Sequence, residues 1–329
     1  MDETKSNLPA PPAAALVPAV GAQALVFDKH VLAGQLAPSS IAMYLRDAGA
    51  YLAFADPENT GVALDPTMLV RWRTHLVETT THSPRTINRM LSAVKRFVRE
   101  AASHGYVARS VAEGFDAVEG VSVKAMKQRL KKDNRTKITP ADMRRLCDAP
   151  NIPNPHQHPL VALRDVAMLH TMASSGLRVS EIATLTTTQI TRRDGHYFIV
   201  VQGKNDIEPR EAPLSAHAYT AIQSWLHTRP VPSAYIFTSF EGFSGPDKPP
   251  RLTDRHIKPP SIWKAVQGYA TAVGLAHIKP HDFRRFVGTQ LAKKDIRKAQ
   301  KALGHKDIST TAAHYVLDEL EGGLTDGLY

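Results

Sequence analysis

Cysteine occurs once in 329 residues, at Cys147, which excludes an intramolecular disulfide and any zinc site built on cysteines and fits a reducing, cytoplasmic compartment. Long apolar runs are missing too, since nothing reaches the ~20 residues that a membrane-spanning helix needs. The nearest approach, residues 8–27 (LPAPPAAALVPAVGAQALVF), carries no charge and ends near Ala22-Gln23-Ala24 as a secretory leader would. Pro9, Pro11, Pro12 and Pro18 interrupt it and the residues before it are net acidic, so residues 1–28 are expected to form a flexible Pro/Ala-rich arm. No internal repeat is present. His281-Asp282 has no third ligand at convincing spacing, so no metal site is expected.

Acidic residues are in deficit. Against 41 Lys and Arg stand 31 Asp and Glu, giving a net charge of +10 and a pI near 9.6. Such a balance favours a polyanionic partner, either nucleic acid or an anionic membrane surface, and composition alone does not choose between them. The length makes two domains the default.

From about residue 38 to 105 the pattern is helical. Asp65-Pro66 and Ser83-Pro84 each place an acceptor side chain at a helix N-cap and a proline at the first helical position, where its missing N–H costs nothing. After Ser83, the residues Ile87, Met90, Leu91, Val94, Phe97, Val98 and Ala101 recur at helical spacing and form one apolar stripe. The other faces carry Arg85, Arg89, Lys95, Arg96 and Arg99. Each alone reads as ordinary solvated surface, but five cations within fifteen residues of a basic protein favour contacts to phosphates.

Residues 124–137 hold seven Lys and Arg, among them Lys127, Arg129, Lys131 and Lys132, against the single acid Asp133, and show little hydrophobic periodicity. That composition predicts an interdomain linker over 121–138 that tracks a nucleic-acid backbone, because the charges would otherwise repel one another. A helical domain over 29–120 would precede it and a second domain over 139–329 would follow. Thr139-Pro140 repeats the cap signal at the start of that second domain. Residues 160–185 read as helical with a break at 174–176, His196–Val201 as a strand, 202–206 as a turn and Arg210–Leu214 as the returning strand. Helical patterns resume near Ser215 and Ser261, with a Pro/Gly-rich loop over 241–260.

The candidate chemical groups are weak singly. Arg178 in ASSGLRVSEIATL could simply pair with Glu181, Lys204 in VQGKND sits on a turn where lysines are usually solvated, and His281 and Arg284 in KPHDFRRF share a helix face. With His305 and Tyr315 of LGHKDISTTAAHY they become a set: two guanidinium forks, a proton carrier, two imidazoles and a phenol, with no carboxylate pair or glycine loop to cradle phosphates. Two arginines suit the non-bridging oxygens of a phosphodiester and hold charge as it builds in the transition state. A tyrosine hydroxyl can serve as a covalent nucleophile.

In this order the segments resemble the tyrosine recombinase (phage integrase) family, from about residue 30 to the end and most strongly over 160–318. SGLRVSEIATL is similar to its first arginine box, GKNDIEPREAPL to its β-hairpin lysine and following strand, HDFRR to its second box, and LGHKDISTTAAHY to its third histidine and nucleophile, with Tyr315 ten positions after His305. The resemblance implies a multidomain, mainly α fold: a helical N-terminal core-binding (SAM-like) domain plus a mixed α+β catalytic domain with a small antiparallel sheet. It implies that Tyr315 attacks the scissile phosphate, leaving a 3′-phosphotyrosyl bond and a free 5′-hydroxyl. Arg178 and Arg284 would clamp the phosphate, Lys204 would protonate the leaving oxygen, and His281 and His305 would assist. Glu181 would orient Arg178. No cofactor is required, because the phosphotyrosine stores the energy of the backbone bond.

The partners so implied are double-stranded DNA carrying a specific site and three further copies of the chain, a homo-tetramer exchanging strands through a Holliday junction. Phe283 and Arg285 depart from the usual pattern without removing a catalytic group. Residues 279–306 hold nine Lys and Arg against Asp282 and Asp295, so Arg285 and its neighbours are expected to bind phosphates as well. The tail, 316–329, has four acids and no base and is expected either to contact a neighbouring subunit or to fray. Two rivals remain: a type IB topoisomerase with similar chemistry, and a DNA-binding protein on the same scaffold that no longer cuts.

Overall fold

Three of the first four helices begin at a proline: α1 (Pro38–Ala55), α2 (Pro66–Thr79) and α3 (Pro84–Ser103), followed by α4 (Arg109–Ala117). The computed structural model describes residues 32–58, 61–129, 138–202, 209–242 and 251–315. The Pro/Ala arm expected over 1–28, the linker residues Lys131 and Lys132, Lys204 and the acidic tail lie outside these residues. The chain divides into two units, Met1–Asn134 and Arg135–Tyr329.

In the first unit the expected caps form: the Asp65 side chain accepts from the Thr67 amide and Ser83 from the Thr86 amide. All seven residues of the predicted apolar stripe on α3 are buried. They pack with Leu69, Trp72 and Leu76 of α2, Phe115 of α4 and Tyr51 of α1. Tyr51 lies 5.2 Å from Trp72 and edge-on to Phe115 at 6.4 Å between ring centroids, and its hydroxyl donates to the Ala63 carbonyl at 2.7 Å. Burial, and then the negative charges of Asp65 and Asp56, push that phenol well above its usual range.

The stretch expected to open a linker at residue 121 is instead part of this unit as far as it is described. Asn88 holds Val121 in both directions, accepting from its amide at 2.7 Å and donating to its carbonyl at 3.1 Å. Met126 is buried in the core, and the Arg129 guanidinium donates to the carbonyls of Val77 and Thr80 at 2.5 and 2.9 Å. Arg129 therefore caps the C-terminus of α2, where orphan carbonyls and the negative end of the helix dipole favour a cation. A single buried methionine leaves no periodicity to read, so the composition suggested a spacer.

The second unit has α5 (Pro140–Asp148), capped by Thr139 as expected, then α6 (Pro159–Ser175) and the short α7 (Val179–Ala183). Gly176 ends α6 with φ 63°, a left-handed C-cap that only glycine adopts without strain. A three-stranded antiparallel sheet follows in the order β1 (Ile190–Arg193), β2 (His196–Val201), β3 (Arg210–Leu214). Asp194 and Gly195 join the first two strands with φ 51° and 79°, the two-residue turn that matches strand twist. α8 (Ala216–Thr228) packs on α6, with Trp225 fully buried and its indole N–H given to the Ile236 carbonyl at 2.7 Å.

The loop expected over 241–260 contains a strand, β5 (Arg251–His256), paired antiparallel with β4 (Thr238–Glu241). Its sequence RLTDRH is polar, and backbone pairing with β4 supplies what hydrophobic alternation does not. Four helices complete the unit: α9 (Pro259–Ala272), α10 (Pro280–Ala292), α11 (Ile296–Leu303) and α12 (Ile308–Tyr315). The core of this unit lies among α6, α8, α9 and the inner faces of the strands. Among the described residues no helix is long and apolar enough to cross a membrane.

Candidate active site

Arg284, on the second turn of α10, is 3% exposed and spans two helix ends. One guanidinium nitrogen donates to the Gly176 carbonyl at the end of α6 at 3.0 Å, and the other to the Leu303 carbonyl at the end of α11. Both carbonyls belong to C-termini, whose partial negative charge offsets part of the cost of burying a cation. Burial, and then the charge of Arg178, still lower its proton affinity from the ordinary arginine value. Residues separated by more than a hundred positions in sequence are thereby tied to one charge.

The same Nη2 lies 3.4 Å from His305 Nε2. The other ring nitrogen, Nδ1, lies 2.9 Å from the hydroxyl of the fully buried Thr311. Gly304 ends α11 in the left-handed conformation, φ 66°, and turns the chain so that His305 meets Arg284. Tyr315, the last residue of α12, is buried and stacks on His305 with 5.4 Å between ring centroids and 16° between planes.

Arg178 precedes α7 directly after the Gly176 turn. Its backbone N–H donates to Glu181 Oε2 at 2.7 Å and its Nη1 to Glu181 Oε1 at 2.9 Å, so the pairing open from the sequence forms, and it orients the arginine. The Arg178 side chain remains 42% exposed while Glu181 is 9% exposed. Arg178, Glu181, Gln202, Gly304, His305 and Lys306 are among the residues lining a cavity of about 750 Å³. A second cavity of about 620 Å³, beside Arg164, Asp165 and Tyr269, lies elsewhere in this unit and shares none of these groups. Among the described residues no cluster of His, Cys, Asp and Glu could hold a metal ion.

The structure thus brings together Arg178, Glu181, Arg284, His305 and Tyr315. His281 is exposed on the first turn of α10 and does not line the cavity. Two buried groups at the site went unnoticed in the sequence, Thr311 and Arg210. Arg210, the first residue of β3, donates from Nη2 to Glu181 Oε2 at 2.7 Å. An arginine opening a strand looks like an exposed edge residue, and only the pairing partner reveals that it turns inward.

The cations expected to meet phosphates are mostly engaged within the protein. Arg89 pairs with Asp47, Arg96 with Glu100, Arg99 with Asp116, and Lys95 donates to the carbonyls of Val118 and Asp116. Arg285 sits 3.6 Å from Asp282. Arg85 and Lys127 are exposed. The partners come from Asp47 of α1, Asp116 and the end of α4, and Glu100 of α3 itself, which a count of charges along one helix cannot anticipate.

The chain matches the model of the phage integrase family over residues 136–320 and that of the phage integrase N-terminal SAM-like domain over residues 27–105. It is 32% identical over 228 residues to tyrosine recombinase XerD of Vibrio vulnificus, covering 68% of this chain and 67% of that protein. With tyrosine recombinase XerD of Yersinia pestis it shares 27% identity over 277 residues, 77% of this chain and 85% of that one. Among solved structures, the Tn1549 transposon integrase in complex with circular intermediate DNA superposes with a TM-score of 0.59 at 15% identity, covering 88% of this chain and 92% of that chain. The XerH site-specific recombinase bound to difH substrate gives 0.56 at 17% identity, over 84% of this chain and 76% of that chain.

Proposed function

We propose, on the premise that the chain belongs to the phage integrase family of tyrosine recombinases, that it is a site-specific DNA recombinase working through a covalent link to Tyr315. The observation that carries this reading is that Arg178, paired with Glu181, and His305 line one cavity, with Arg284 and Tyr315 both against His305. In that arrangement the Tyr315 hydroxyl oxygen attacks the scissile phosphorus. An O–P bond to the tyrosine forms as the bond to the 5′ oxygen breaks, leaving a 3′-phosphotyrosyl end and a 5′-hydroxyl.

Arg178 and Arg284 offset the charge that builds on the non-bridging oxygens. Lys204, which follows β2 in sequence, supplies the proton for the departing 5′ oxygen. His305 hydrogen-bonds the phosphate and helps carry the proton given up by the tyrosine, with His281 assisting from the first turn of α10. Attack by the 5′-hydroxyl of another strand reverses every step and frees Tyr315, so the number of phosphodiester bonds is conserved and no energy source is consumed.

The partner is duplex DNA with a defined site. Four copies hold two such sites and exchange strands through a Holliday junction, in integration, excision or resolution of a mobile element or replicon. Naming of the similar proteins as tyrosine recombinases and the DNA in the similar structures support this reading. The linker cations Lys127, Lys131 and Lys132 meet the phosphates of the duplex, and the tail over 316–329 contacts a neighbouring copy.

The test is to incubate the full chain with nicked duplexes tiling the DNA that flanks its reading frame and to look for a covalent adduct and then for exchanged strands. Tyr315→Phe is expected to abolish the adduct while DNA binding stays near wild type. An adduct that survives in that variant would remove Tyr315 from its role. Adduct with plasmid relaxation but no exchange would point to a topoisomerase, and no adduct at all would leave a DNA-binding protein.

A further inference from the structure

Glu181 accepts three hydrogen bonds, from the Arg178 backbone and side chain at 2.7 and 2.9 Å and from Arg210 at 2.7 Å, and one of its two cationic partners, Arg210, is at least as buried as itself. Burying a guanidinium and a carboxylate together is costly unless the geometry is close to ideal, and it commonly yields little net stability. The position of Arg210 suggests what that cost secures. Its side chain is 7% exposed and passes under Gly304, where an added Cβ would come within 2.3 Å of Arg210 Cδ and 2.6 Å of Nε. Gly304 is the residue that turns the chain into His305.

Arg210 also opens β3, the strand that follows the segment carrying Lys204. Three elements therefore meet on one side chain: the strand after Lys204, the carboxylate that orients Arg178, and the turn that presents His305. The charges of both Arg178 and Arg210 also act on Arg284 through space, so the Arg210–Glu181 pair lies within reach of that buried guanidinium.

Resting on the reading that the site cleaves DNA, we propose that Arg210 is a positioning residue: it holds Glu181 so that Arg178 stays aimed at the scissile phosphate, and it fixes β3 against the Gly304 turn. Arg210 acts through Glu181 rather than by touching the substrate. Its loss should slow cleavage with little effect on DNA affinity, because most contacts to a duplex are phosphate contacts outside the cavity.

The experiment uses the full chain, the nicked duplex that yields the wild-type adduct, and the variants Arg210→Met, Arg210→Lys, Glu181→Gln and Glu181→Gln/Arg210→Met. Arg210→Met is expected to lower the single-turnover rate of adduct formation about tenfold or more while the Kd for the duplex moves by less than about threefold. Arg210→Lys, which keeps the charge but not the planar fork, should recover part of the rate. The double variant should be about as slow as the slower single variant, since both remove one unit. A wild-type rate in Arg210→Met, or losses that multiply in the double variant, would overturn the proposal. If Arg210→Met melts below the assay temperature, Arg210→Lys decides alone: a rate at least about threefold slower at unchanged Kd supports the role, and a wild-type rate overturns it. Absence of an adduct from the wild-type chain would instead overturn the reading on which the proposal rests.

Discussion

The ring of Tyr315 rests on the bare Cα of Gly288, so closely that a Cβ at that position would come within 2.4 Å of Tyr315 Cδ1. Gly288 lies inside α10, where glycine is intrinsically unfavourable, and its backbone is not in the left-handed region. The close approach of Tyr315 accounts for its presence. Gly288→Ala should gain about 1 kcal/mol of helix propensity and lose a comparable amount through overpacking, leaving the melting temperature nearly unchanged. Adduct formation should fall by about tenfold or more, because displacing a reacting atom by even ~1 Å is costly. Cleavage at the wild-type rate would mean that the tyrosine is not positioned by this contact.

Arg284→Lys keeps the charge but cannot reach Gly176 and Leu303 together. It should destabilise the second unit by about 1–3 kcal/mol through the orphaned carbonyls and reduce cleavage by about a hundredfold or more. Denaturant melts and single-turnover assays measure the two losses separately. A stable but inactive variant would show that the carbonyl contacts matter less than the phosphate clamp.

Arg129→Gln should lower the stability of the first unit by about 1 kcal/mol, since it removes a cation from the C-terminus of α2. Arg85→Ala with Lys127→Ala should leave stability unchanged and, if both contact phosphates, reduce the salt slope of DNA binding by about 2. A slope unaltered by the pair would return both residues to ordinary solvated surface.

Acid should loosen the start of α2. The hydroxyl of Thr67 and then its amide hold the Asp65 carboxyl below its ordinary range. A depressed folded-state value means that the cap contributes fully above the unfolded value of about 3.9 and is lost as pH falls through the folded one. Asp65→Asn keeps an acceptor at the cap without the titration, so its helix signal should decline less between about pH 5 and pH 2 than that of the wild type. Equal declines would show that other carboxylates dominate the acid response.

The helix starts and the order of the chemical boxes were legible because each depends on neighbours within four residues. Asp65, Ser83 and Thr139 each cap the predicted helix, and the stripe on α3 is buried throughout. β1 escaped notice although Asp194-Gly195 is a hairpin signal, because ITRR shows no apolar alternation. β5 escaped for the same reason.

Sequence alone determined that a basic chain carried Arg178, Arg284, His305 and Tyr315 in a recognisable order, since residue type and spacing survive without a fold. It could not tell which cations were spoken for. Arg89, Arg96, Arg99 and Arg129 found partners between seventeen and fifty-two positions away or, for Arg96, one turn along the helix and across to Gln35. Nor could it single out Arg210, which became part of the site only when β3 folded against α7 and the Gly304 turn. Coulombic and hydrogen-bond partners are set by distance in space. That distance depends on packing among elements that the local pattern does not encode.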